Sequence, residues 1–103
     1  MELNVRERLM LVSVLPKEGD ITTLKIIRKL REDLSFSEEE HKVLNFKHQN
    51  NMTIWDDAVD VKKEIEIGEK ATDVITEALE TLSKNKKLHE DHLPLWEMFI
   101  EKD

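Results

Sequence analysis

The chain contains no cysteine, only two glycines, two prolines and five aromatic residues, and no tyrosine. Without cysteine there are no disulfides, no Cys-ligated zinc, no iron–sulfur cluster and no thiol nucleophile. So few glycines leave no Gly-rich phosphate loop: neither a P-loop nor a dinucleotide fingerprint is present. No apolar run approaches the roughly 18 residues that span a bilayer. The opening Met1-Glu2-Leu3-Asn4 has no basic n-region of a secretory leader. These features read as a cytoplasmic protein, with no membrane partner. Cations are in deficit, 16 against 23 acidic residues, for a formal charge of −7. That disfavours general nucleic-acid binding, whose affinity comes largely from phosphate neutralisation.

At 103 residues the chain is long enough for one domain, 1–103, and too short for two. Charged residues make up 38% of it, but they alternate with periodic apolar residues, so it is expected to fold. The clearest period lies between Glu69 and Lys84. There Ala71, Val74, Ile75, Ala78, Leu79 and Leu82 recur at steps of three and four, one face of a helix. Lys70, Asp73, Glu77, Glu80 and Lys84 fall on the other face. A helix this amphipathic needs a partner surface, which the rest of the chain must supply.

From the N-terminus, Asn4 with Glu7 has the spacing of a capping box and opens a helix over 4–15, apolar on more than one side. Pro16 to Asp20 is a turn by composition. Asp20 or Thr22 caps a second helix to about Leu34. Ser37 with Glu40 is another capping box, for a short helix Glu38–Leu44 whose three glutamates suit a positive helix end. The period then becomes two: Leu44, Phe46 and His48 alternate with polar residues. Asn50-Asn51 turns the chain, because asparagine tolerates positive φ, and Met52 to Trp55 returns. Asp56 to Lys63 is a loop or a poor helical turn. Glu64 to Ile67 alternates as a third strand. Pro94 sits in the first turn of a terminal helix within Leu88–Ile100.

The fold class is therefore α+β and mostly helical: four to five helices with a small β-hairpin or three-stranded antiparallel sheet. Three helices followed by a hairpin is the order of a winged helix, and a helical bundle with a β-flap is the alternative. Several stretches also resemble small proteins of bacterial phages and prophages: Leu3 to Leu9, Thr23 to Arg28, Leu34 to Glu40, and Lys63 to Asp73. The likeness spans most of the chain and rests on folding motifs. It implies a mobile-element origin and an accessory role, with no site residues to carry over.

Three constellations remain. His89 and His92, spaced i,i+3, do not make a complete ligand set, so no metal or other cofactor is expected. The serines lack a nucleophile elbow, and the glutamate clusters are explained by capping and by a solvated strand, so the reading is non-enzymatic. Lys25, Arg28 and Lys29, with Arg31 at the flank, form the one basic patch and are the nucleic-acid candidates. Leu93, Leu95, Trp96, Met98, Phe99 and Ile100 are too many apolar residues for one narrow stripe. They are the candidates for a protein contact, with a second copy or a host or phage protein.

Overall fold

The computed structural model describes residues 1–56, 58–59 and 61–101. Asp57 and Asp60, inside the stretch expected to be a loop or poor turn, lie outside the described residues. The described chain runs β1 (Glu2–Asn4), α1 (Val5–Val14), α2 (Ile21–Leu34), α3 (Glu38–Leu44), β2 (Lys47–Gln49), β3 (Met52–Ile54), β4 (Lys62–Glu64), α4 (Glu69–Lys84) and, after a 3-10 turn at Glu90–His92, α5 (Leu93–Phe99). It is a mostly helical α+β fold.

Capping sets the helix starts. The Asn4 side chain accepts from the Glu7 amide at 2.8 Å, and the Glu7 carboxylate accepts from the Asn4 amide at 2.9 Å. Ser37 and Glu40 repeat the device on α3, and Asp20 accepts from the Thr23 amide at the head of α2. That amide, with the Thr23 hydroxyl, holds the Asp20 carboxyl below its ordinary range. Gly68 gives α4 no side-chain cap, so this helix is held by what it buries.

What α4 buries is the core. Ile75 and Leu79 are fully enclosed, with Ala71, Val74 and Leu82 packed at the edges. Against them lie Leu11 and Val14 of α1, Ile27, Leu30 and Leu34 of α2, and Leu95 and Phe99 of α5.

The strands form two separate antiparallel pairs instead of one three-stranded sheet. β2 and β3 are the expected hairpin, with Asn50 and Asn51 at φ 51° and 64° in its turn. The third strand is Lys62–Glu64, two residues earlier than Glu64 to Ile67. It pairs with β1, which places Leu3 beside Lys63. Backbone pairing extends one step further, the Ile65 amide donating to the Met1 carbonyl at 2.8 Å and the Ile65 carbonyl accepting from the N-terminal ammonium at 3.0 Å, while the Ile65 side chain enters the core. The Lys63 ammonium donates to the Asp33 carbonyl at 2.8 Å, a cation at the negative end of α2. Among the described residues no helix is long and apolar enough to cross a membrane.

Candidate functional site

The inward line of α1 is Val5, Arg8, Leu11 and Val14, an i,i+3 register. One member is an arginine with no exposed surface. A buried guanidinium must be paired and hydrogen-bonded to be tolerated, and Arg8 is both. Its Nη1 donates to Glu40 Oε2 at 2.5 Å, and its Nη2 to Glu40 Oε1 at 3.3 Å and to the Ser35 carbonyl at 2.5 Å. Its Nε donates to the Leu34 carbonyl at 3.3 Å. Leu34 is the last residue of α2, so Arg8 satisfies a carbonyl that the helix end leaves free. The guanidinium also lies 3.8 Å from the centre of the Phe36 ring. One side chain thus ties α1 to the end of α2 and to the first turn of α3.

Glu40 responds to this. Hydrogen bonds from Arg8, opposed by partial burial and aided by the Ser37 amide, lower its pKa from 4.5 to about 2. The depressed value means that the folded state holds the carboxylate while the unfolded state protonates first. Its contribution is complete above pH 4.5 and is lost as pH falls toward about 2. The expected loss is on the order of 2 kcal/mol. Urea unfolding at pH 6, 4 and 2.5 measures it, and Glu40→Gln should flatten that acid limb. An acid limb of unchanged steepness in the variant would exclude Glu40 as its source.

From Phe36 an aromatic row leads to the hairpin. Phe36 and Phe46 meet edge-on with centroids 5.0 Å apart, and Phe46 lies 6.3 Å from Trp55 across the base of the hairpin. His41 joins at 5.4 Å from Phe46. Arg6 closes the far end, 5.8 Å over Trp55, so an arginine of α1 stands at each end of the row. Asn45, left-handed at φ 50°, ends α3 and turns the chain into β2, and the Asp56 amide donates to the Leu44 carbonyl at 2.8 Å. A two-stranded hairpin is marginal alone, and this one is held by its aromatic inner face. Side chains alternate along a strand, so Met52 and Ile54 point the other way. Met52 is 64% and Ile54 44% exposed, opposite Gln49 and Lys47 of β2, and Val43 on α3 is also exposed.

The residues singled out in the sequence fall differently. In α5, Leu95 and Phe99 are core residues, spaced to face α4 and α1, and so are not available to a partner. Trp96, Met98 and Ile100 pack part-buried against the same core. Leu93 alone of the six is largely exposed, at 51%. The apolar excess of this segment is mostly spent inside its own chain.

Lys25, Arg28, Lys29 and Arg31 are all exposed. They divide between two grooves. Lys25 and Lys29 face one of about 670 Å³ leading to the start of α4, where Asp33, Glu66 and Glu69 offset them, and Lys29 pairs with Asp33 at 3.3 Å. Arg28 and Arg31 join Lys17 around a smaller groove of about 370 Å³, with no carboxylate in its lining. His92 is a satisfied interior histidine: its Nδ1 accepts the His89 amide at 2.9 Å, and burial above all lowers its pKa. Among the described residues no group of three or more His, Asp or Glu is gathered to hold a metal.

The sequence reading missed Arg8. Its signal was available, since Arg8 stands three residues from both Val5 and Leu11 on the helix's apolar line. The outward turn of Met52 and Ile54 was available too, because they alternate with the Thr53 and Trp55 that pair inward.

Together these features define a small, mostly helical α+β domain with an arginine-anchored hairpin. No family model, curated protein or solved structure matches the chain.

Proposed function

We propose that this chain is a non-enzymatic protein-interaction module, an accessory protein of a phage or prophage that works by contact with a second copy or with a host or phage protein. The observation that carries the reading is the hairpin. Its inner face is locked by the aromatic row, while Met52 and Ile54 face outward, 64% and 44% exposed. Apolar residues presented on a fixed strand pair suit a partner surface, where methionine is enriched. The resemblance to small phage and prophage proteins supplies the proposed setting.

The test is affinity capture from host extract with the intact chain and with Met52→Glu/Ile54→Glu, followed by mass spectrometry. Both positions are exposed, so the variant should keep its fold. The expected result is a defined set of proteins retained by the parent chain and lost by the variant. Equal recovery by both would remove the hairpin from the reading.

A second reading, a winged-helix DNA-binding regulator, is favoured by one observation: Lys17, Arg28 and Arg31 surround a groove without acidic lining. Against it stand the charge of −7 and Glu38, Glu39 and Glu40 at the start of α3, the helix that would enter the major groove. The interaction reading predicts no mobility shift with duplex DNA even at low salt. A shift that weakens steeply with salt and is lost on Arg28→Glu/Arg31→Glu would favour the regulator.

A further inference from the structure

α2 has an exposed outer face as well as the one it buries. Ile21, Leu24, Arg28 and Arg31 recur at steps of three and four, so they share one outward stripe of the helix. The apolar members stand at its N-terminal end. Ile21 is 69% exposed and Leu24 is also exposed, although helical stripes of this kind normally face a core. The carboxylates of Glu18 and Asp20 lie just before them, beside a groove of about 530 Å³ with Val14, Val74 and Leu82 in its walls and no cation in its lining. Arg28 and Arg31 lie toward the other end of α2, on the 370 Å³ groove floored by Leu24 and Ile27, which Lys17 of the preceding turn also lines. From Glu18 in that turn to Arg31, acid, apolar knob and base thus follow one another.

The geometry points to a two-fold dimer in which α2 packs antiparallel against α2 of a second copy. This goes beyond the hairpin reading above and does not depend on it, naming one partner and one surface. A two-fold contact places each residue against its counterpart's partner: if i touches j, then j touches i. Antiparallel pairing centred between Leu24 and Lys25 sets Ile21 of each copy opposite Arg28 of the other, where the groove over Leu24 and Ile27 receives it. The same pairing brings Glu18 toward Arg31, twice over. Parallel pairing would oppose cation to cation and is disfavoured for that reason. One 14-residue helix face is small beside the roughly 800 Å² per partner of a standard interface. A weak, reversible dimer is expected from so small a contact.

The experiment is sedimentation of the intact chain over a micromolar concentration series, with exposed positions substituted and folding checked by circular dichroism. The parent chain should move from single-chain to double mass as concentration rises. Arg28→Glu/Arg31→Glu should raise the dissociation constant about tenfold or more, and Ile21→Glu likewise. Glu18→Arg should also weaken self-association. Mixing Glu18→Arg with Arg28→Glu/Arg31→Glu should restore the double mass, because the acidic stripe of one then meets the basic end of the other. A parent chain of single mass throughout would overturn the dimer. So would a dimer indifferent to all three substitutions, which would leave self-association standing on another surface. Loss of the wider interaction reading is seen separately, in capture that does not depend on Met52 and Ile54.

Discussion

Arg8→Met will lower the free energy of unfolding by about 3–5 kcal/mol. Methionine replaces much of the arginine's volume but none of its donors. The Glu40 carboxylate, only 18% exposed at its side chain, is left without its charge partner. The carbonyls of Leu34 and Ser35 lose donors in the same step. An uncompensated group of this kind costs more than the pair contributes when intact. Glu40→Gln in the Arg8→Met background should therefore recover part of the loss, since a neutral amide is easier to bury than a lone carboxylate. Urea unfolding at neutral pH reads both. A loss below about 1 kcal/mol, the range of a solvent-exposed ion pair, would show that the junction is not what holds α3 in place.

The second large effect is expected at Leu79. It has no exposed surface and belongs to the cluster that joins α4 to α1, α2 and α5. Leu79→Ala removes buried methyl groups and leaves a cavity that the three neighbouring helices cannot all relax to fill. The expected cost is about 2–5 kcal/mol. Leu93→Ala, the same substitution at a side chain half in solvent, should stay within about 0.5 kcal/mol. Equal effects at the two leucines would mean that α4 is not the centre of the core.

The parts of this fold that could be read from the sequence are those with a local cause. α4 declared itself because sixteen residues keep one period, and its bounds, Glu69–Lys84, fall where the pattern stops. The two capping boxes and the Asn50-Asn51 turn depend on residues no more than three apart. β1 and β4 have no such cause. Each is three residues long, too short for a period to register, and each finds its partner some sixty positions away. Glu64 to Ile67 alternates, and its Ile65 side chain does enter the core, but the pairing stops at Met1 and Ile65 because β1 supplies no further residues to pair with.

The candidate surfaces were less legible, because residue type does not state which way a side chain faces. The apolar crowding of Leu93 to Ile100 suggested a contact between chains. A short helix docked against two longer ones accounts for most of it, burying Leu95 and Phe99 and half-covering Trp96, Met98 and Ile100. The basic residues of α2 were correctly placed outside, but the helix distributes them over two grooves of different charge. Arg8 was hidden by its chemistry: a cation on an apolar line reads as surface until a carboxylate thirty-two residues later is found beside it.

Arg8 ties the helical core to α3 and the aromatic row beneath the hairpin, and amide hydrogen exchange in Arg8→Met tests that tie most directly. The predicted result is faster exchange across α3 and the hairpin, Glu38 to Ile54, while the central turns of α4 keep their protection. Capture that depends on Met52 and Ile54 should weaken in parallel. Unchanged exchange in α3 and the hairpin, or equal loss across α4, would contradict the arrangement in which Arg8 holds the hairpin platform to the core.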